Sequence, residues 1–440
     1  MREPNGQLRT LLTEARWSGQ DFARAVNGVA AETGLSLRYD RTSVSHWLAG
    51  TRPPAHIAAL AAEALTRRTG RRISAADTGL ARARPRAEPE PARSPASPIP
   101  PAPATPLSTL TTLSSLASLG EVPVYSSTWR PPGGEGPPPG EAAGPESGER
   151  IGVRHIQAAE AVLPVFRSTD LMCGSGLARP ALTRYLATTV APWLRAAAPP
   201  SVRHRLLGCT ARLAYTAGFL CFDSNQHGVA QAYYRAALRL GQEAGDPGCS
   251  APALRAMSVQ AHYLGHRRQA VELAEAAARD AGRLPALQAA FVTGQLAVAE
   301  AACGDRRAAL THLGTAGRLL ERAAGQTAPI GDYHRAALAH QQAEALAALG
   351  DLKGAVAALA SSLRHRPAGE RRARAVTTAR LAELHLDRGH LERACATAHE
   401  LWDLAPQLDS ARVTAAVRRL RARLRVLRTT PVVRTLLDRT

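Results

Sequence analysis

Five hydrogen-bond donors fall close together in this chain: Arg41, Thr42, Ser45, His46 and Arg52. A guanidinium can offer two parallel N–H groups to one planar acceptor, while hydroxyl and imidazole groups reach single acceptors. Together they offer contact with an anion. The stretch that carries them, LRYDRTSVSHWLAGTRPP, has the signals of a short helix. Asp40 can accept hydrogen bonds from the free N–H groups of a helix starting at Arg41. Val44, Trp47 and Leu48 fall at i, i+3 and i+4, which makes one buried face. Gly50 suits a left-handed C-cap, and Pro53 and Pro54 forbid continuation. The donors are then left on the outside.

Other helices must hold that short one in place. Leu8, Leu11, Leu12 and Ala15 mark a first amphipathic helix, from about Gly6 to Arg16. Ser18 with Asp21 is a capping-box-like start for a second, with Phe22, Ala23, Val26 and Val29 or Ala30 inward and Gly34 as its end. The donor-bearing helix, Arg41 to Ala49, follows a loop. Ile57, Leu60, Ala61, Ala64 and Leu65 give a fourth helix, ending at Arg67, Arg68 and Gly70, where basic residues suit the helix dipole. Ser74 with Asp77 caps a last turn. Residues 1–80 thus read as a small helical bundle. In a helix-turn-helix the first turns of the second helix enter the major groove. On that reading Arg41, Thr42 and His46 reach base edges, and Ser45 and Arg52 hold phosphates.

The whole-chain balance agrees. The 440 residues carry a formal charge of +19, almost all from arginine, since Lys353 is the one lysine. Such a basic chain suits an acidic partner, with double-stranded DNA first. Aromatic residues are 4% of the chain and apolar residues 45%, which favours close Ala/Leu helix packing. Six cysteines lack CxxC or metal-type spacing and read as small buried thiols in a reducing compartment. There is no signal-like N-terminal run and no stretch of 18 apolar residues, so the expectation is a cytoplasmic protein that does not enter a membrane.

Between 81 and 150 the composition changes: 16 of the chain's 31 prolines lie from Pro85 to Pro145. Such a stretch buries too little apolar surface to offset its ordering entropy and reads as a disordered linker. One island, Val122, Val124, Tyr125 and Trp129, reads as a segment that docks on a domain or partner.

From 151 to 440 a pattern recurs: a turn residue, Ala five later, then an apolar or Ala residue four after that. It appears at Asn225/Ala230/Tyr234, Gly265/Ala270/Ala274, Gly304/Ala309/Leu313, Gly350/Ala355/Leu359 and Gly389/Ala394/Ala398. Gly and Asn tolerate a left-handed turn, and Ala lets paired helices approach closely. Five helix–turn–helix units predict a solenoid, closed by an Arg-rich helix from Ala411 to Leu427 with Val413, Val417, Leu420, Leu424 and Leu427 inward. A concave groove in such a stack can hold a peptide or a small ligand, and Asp223, Tyr233, Tyr234 and Tyr263 are its candidate residues. The tyrosines have a second reading, as packing between helices.

No catalytic pattern stands out in the sequence. Gly174-Ser175-Gly176 lacks the third glycine and the βαβ setting of a dinucleotide fold, and His399-Glu400 runs on to Asp403 where a zinc protease needs His. No catalytic residue, cofactor or metal site is expected.

RTSVSHWLAGTRPP, with helices on both sides, resembles the Cro/repressor-like helix-turn-helix domain of the xenobiotic-response-element type. The resemblance implies the same base-contacting positions, Arg41, Thr42 and His46. The chain departs from that family in the turn before Asp40, where about ten extra residues, Ala30 to Tyr39, intervene. Over nearly its whole length outside the linker it is similar to actinobacterial regulators that join such a domain to tetratricopeptide-like repeats. The segment 168–180 looks like the entry to their repeats and 217–246 like the first full repeat. The spacings here, 40, 39, 46 and 39 residues, exceed the roughly 34 of a standard tetratricopeptide repeat. The resemblance implies a transcriptional regulator, of development or antibiotic production in some members. Its repeats are expected to bind a signal, a protein partner or a second copy. The rival expectation is a tetratricopeptide-repeat scaffold that does not bind DNA.

Overall fold

The computed structural model describes residues 3–33, 35–81, 105–119, 123–131, 150–326 and 333–438. Among them the fold is all-α, apart from a single β-bridge between Arg150 and Ala197. Four helices form the N-terminal bundle: α1 (Gly6–Ala15), α2 (Gly19–Ala31), α3 (Arg41–Leu48) and α4 (Ala55–Thr69). Local chemistry sets each start. Asn5 accepts from the Leu8 N–H, and Ser18 and Asp21 close a reciprocal capping box. Such caps stabilise a helix by about 1 kcal/mol each. A core of Leu8, Phe22, Val26, Val44, Ile57 and Leu65, distinct from that of the repeats, holds the four together. Ser74 and Asp77 bond reciprocally and shape the last turn, as expected. The expected end of α2 at Gly34 lies outside the described residues; α2 stops at Ala31.

The linker reading of 82–104, 120–122 and 132–149 also lies outside the described residues. Two segments of that stretch are built into the fold. Helix α5 (Pro106–Leu119) sends Leu110 and Leu113 into the main core of the repeats. Leucines at intervals of three carry this helix through a Ser/Thr-rich sequence whose composition reads as loop. Residues 123–131 form a strap that turns at Ser127 and Thr128.

Helices α6 (Val153–Cys173), α7 (Ser175–Tyr185), α8 (Ala191–Arg195) and α9 (Pro200–Asp223) lead into the repeats, with a π turn over Leu186–Val190 between α7 and α8. Then come α10 (His227–Glu243), α11 (Pro247–Tyr263), α12 (Arg267–Ala278), α13 (Ala286–Cys303) and α14 (Arg306–Arg322). The series continues through α15 (Arg335–Ala348), α16 (Leu352–His365), α17 (Arg371–Asp387), α18 (Leu391–Leu404), α19 (Ala411–Arg425) and α20 (Pro431–Leu437). Helices α9 to α18 pair in sequence. The five intra-pair turns use Asn225, Gly265, Gly304, Gly350 and Gly389, all at positive φ. The alanine five residues after each one, at 230, 270, 309, 355 and 394, is completely buried.

The stack closes on itself. Asp409, just before α19, donates its N–H to the Cys173 carbonyl and accepts from the Gly176 N–H. Asp223, fully buried at the end of α9, accepts from Ser175 and Ser410 hydroxyls at 3.0 and 2.9 Å. Arg372 of α17 pairs with Asp170 of α6 at 3.0 Å and faces Asp223 at 3.8 Å. The last helix differs from expectation: α19 ends at Arg425, Leu427 is exposed, and α20 packs its Val433 and Leu436 into the terminal core instead. Helix α13 is the one described helix long and apolar enough to cross a membrane, and it is mostly buried among the repeats.

Two glycines with the same φ separate turn geometry from docking. Gly350 (φ 85°) has open space where a Cβ would sit, whereas at Gly265 (φ 86°) a Cβ would lie 2.7 Å from the Arg67 carbonyl oxygen of α4. Gly350→Ala and Gly265→Ala are each expected to lose about 1–2 kcal/mol for the left-handed backbone. Only Gly265→Ala is expected to speed amide hydrogen exchange in α4. Equal exchange in the two variants overturns the seating of α4 on this turn.

Candidate functional site

Arg41, Thr42, Ser45, His46 and Arg52 are all exposed, while Val44 and Trp47 are buried. The Ser43 N–H donates to Asp40, and the Asp40 N–H to the Ser43 hydroxyl, so α3 begins in a full capping box. That bonding holds the Asp40 carboxyl below its ordinary range. No described carboxylate forms an ion pair with Arg41, His46 or Arg52. Arg41, Thr42, Ser45 and His46 thus lie on the exposed side of α3 and Arg52 in the loop after it, with the Ser45 hydroxyl donating back to the Arg41 carbonyl at 3.0 Å.

The long connection between α2 and α3 is tied down at its far end. The Asn27 side-chain amide donates to the Tyr39 carbonyl at 2.8 Å and accepts from the Tyr39 N–H at 3.0 Å. Tyr39 and Phe22 then flank Trp47 edge-on, with ring centres 5.0 and 6.0 Å away. Gly19 leaves room for Val44, whose Cγ1 would stand 3.5 Å from a Cβ there. Gln20 accepts from the Arg41 N–H at 3.2 Å. The turn is long, but α3 still packs directly against α2. Asn27 and Gln20 escaped the sequence reading, because side chains that bond a distant backbone leave no periodic trace.

A different face of the bundle meets the repeats. Glu63 of α4 bonds His266 at the α11–α12 turn at 2.8 Å and Arg67 at 2.8 Å. Arg67 makes a two-pronged pair with Glu32 at 2.7 and 2.8 Å. Burial pushes the Glu63 carboxyl upward, but His266 and Arg67 outweigh it and leave the group below its ordinary value. Glu32 goes the other way, raised by burial despite Arg67. The strap completes the joint. Tyr125 stacks on the His266 ring, 5.3 Å between centres, and donates to Gln269 at 2.7 Å. The Ser126 backbone exchanges two bonds with the Gln231 amide, and Arg130 pairs with Glu272 at 2.5 Å. Trp129 lies under the Arg235 guanidinium. Docking of the island is thus realised by Tyr125 and Trp129, while Val124 is exposed and Val122 lies outside the described residues.

Alternate helices of the repeats, α9, α11, α13, α15 and α17, together with α6 and α19, surround a central cavity of about 300 Å³. A wider one of about 1050 Å³ adjoins it and reaches Gly28, Ala31, Glu32 and Arg67 of the bundle. Arg255, His340 and Arg412 are among the residues that line both. Of the four groove candidates, Tyr263 lines the wider cavity. Tyr233 and Tyr234 are corrected to core residues: both are completely buried, and Tyr234 packs against Gly218 and Tyr215. Asp223 is likewise withdrawn from the groove, since its carboxylate is consumed by the closure of the stack. The sequence did hold one more signal for the cavity. Arg255 is the single Arg, Lys, Asp or Glu in α11, PGCSAPALRAMSVQAHY. Arg412, lost in an Arg-rich helix, gave none.

Four cysteines are buried, Cys173 is half-buried and Cys303 exposed, all as free thiols. No group of three His, Cys, Asp or Glu among the described residues could hold a metal ion.

Compared with known families, residues 8–81 match the model of the SP15 N-terminal domain. That match covers the bundle of α1–α4 and none of the repeats. Neither curated proteins nor solved structures match the chain.

The cavity wall makes a pH prediction. Burial among Phe222 and Tyr263, with Arg67 and Arg412 nearby, lowers the His227 imidazole from 6.5 to about 3. The unfolded chain therefore binds the extra proton first. Stability from this site is complete above pH 6.5 and is lost progressively as pH falls toward about 3. Thermal unfolding midpoints should fall over that window, and His227→Leu should flatten the slope. An unchanged slope removes His227 as its source.

Proposed function

We propose that the chain is a cytoplasmic DNA-binding transcriptional regulator. Helix α3 is its reading element: Arg41, Thr42 and His46 address base edges in the major groove, and Ser45 and Arg52 hold phosphates. The observation that carries this reading is the exposure of Arg41, Thr42, Ser45 and His46 on one capped helix with Arg52 just past its end, no described carboxylate pairing with Arg41, His46 or Arg52. Their separation from the docked side of the bundle supports it, because α2 and α4 meet the repeats through Glu32, Glu63 and Arg67. The repeat region is the half that receives a signal, a protein partner or a second copy of the chain. The joint at His266 is the place where occupancy of the repeats can bias the bundle, provided the ligand favours one arrangement over another. The resemblance to regulators of development and antibiotic production supports the same assignment.

Binding of the full chain to random genomic fragments at two salt concentrations tests this. A regulator that neutralises a few phosphates should lose affinity as a power of salt concentration. Arg41→Ala/His46→Ala should weaken binding by about tenfold or more and erase sequence enrichment. A chain that binds no fragment even at low salt is a repeat scaffold whose bundle serves only the joint, and the regulator reading falls.

A further inference from the structure

The central cavity has a composition unlike the rest of the molecule. Three of the chain's five phenylalanines, Phe219, Phe222 and Phe291, line it together with Tyr215 and Tyr333. The same wall carries five arginines against two carboxylates, Asp170 and Glu370. Those two are already engaged: Asp170 with Arg372 at 3.0 Å and Glu370 with Arg366 at 2.6 Å. Arg255 and Arg412 form no ion pair with any described carboxylate. Arg255 lies 3.6 Å over the Phe291 ring and donates to the Phe291 carbonyl, a neutral acceptor. Arg412 lies over Phe222 and Tyr263 at 4.4 and 5.1 Å. Its Nε is buried and has no hydrogen-bond partner among the described residues.

Two guanidiniums held against aromatic faces, without counter-ions, are costly in a cavity unless something brings the negative charge. Guanidinium forks match planar carboxylates and phosphates, and aromatic walls suit a flat apolar body. A volume of about 300 Å³ is at the small end of ligand pockets.

The geometry points to a small aromatic anion, a ring bearing a carboxylate or a phosphate, as the ligand of this cavity, its charge held by Arg255 and Arg412. This inference rests on the reading of the repeats as the signal-receiving half and leaves α3 untouched. The anion sits where the two cavities meet, because both arginines line both. Its ring lies among Phe219, Phe222 and Phe291.

Titration calorimetry and thermal unfolding on the full chain test it with four kinds of probe. Phenyl phosphate and phenylacetate are the two anionic arms, and their ranking decides between phosphate and carboxylate. Phenol supplies the ring without charge; inorganic phosphate and acetate supply charge without the ring. At least one aromatic anion is expected to bind about tenfold more tightly than either class of control. Arg255→Met/Arg412→Met should abolish that preference. Met keeps apolar bulk against the rings, so the unliganded double variant should unfold at the same temperature or higher. A lower midpoint makes the arginines structural and overturns the site. So does equal binding of phenol, or retention of the preference by the double variant. Absence of binding by either aromatic anion at about 1 mM, with DNA binding intact, overturns the ligand class alone. Ligand binding intact with DNA binding absent sinks the regulator reading instead.

Discussion

The carboxylate of Asp223 is the point on which the architecture turns. It is fully buried, it ends the first inner helix, and it accepts from Ser175 at the start of α7 and from Ser410 at the start of α19. Arg372 balances its charge together with that of Asp170. Without this knot the five helix pairs would be an open stack with a shallow concave side. With it, α19 is pinned beside the end of α9, and the concave side becomes a central cavity ringed by inner helices. The cations in that cavity are meaningful only because the closure removes them from bulk water.

The joint between bundle and repeats follows the same economy of means. His266 follows directly on Gly265, the glycine that turns α11 into α12, and one turn thus serves both the solenoid and the seat of α4. Tyr125 caps the seat from the strap. The histidine is held by a carboxylate on one side and a phenol ring on the other, so three distant parts of the sequence converge on a single imidazole. Meanwhile α3 is spared from this contact.

Much of this was legible in sequence because it depends on local rules. Caps at Ser18, Asp40 and Ser74 leave donors and acceptors at fixed offsets. The turn glycines and their partner alanines repeat at a readable period, because each pair solves the same local packing problem. Helix α5 was hidden by Ser/Thr-rich composition, although its leucines already kept a helical spacing. The groove tyrosines divide between their two readings for a physical reason: tyrosines on a helical face say only that something covers them, which for Tyr233 and Tyr234 is another helix and for Tyr263 is the cavity. Asp223 looked like a groove acid because nothing local announces a partner almost two hundred residues away. Besides Tyr263, Arg255 left a trace, as the lone formal charge of its helix.

The long reach of that closure has a kinetic side. Asp170 and Arg372 are separated by 202 residues, and Asp223 and Ser410 by 187. Helix pairs of a linear array form from neighbours and can assemble or fray one at a time. Contacts across such spans come only after the intervening chain is ordered, since loop entropy must be met first. The cavity is therefore a late product of folding. It is absent from every partly assembled stack, and a molecule bound there would slow the reopening of the ring more than it hastens its formation.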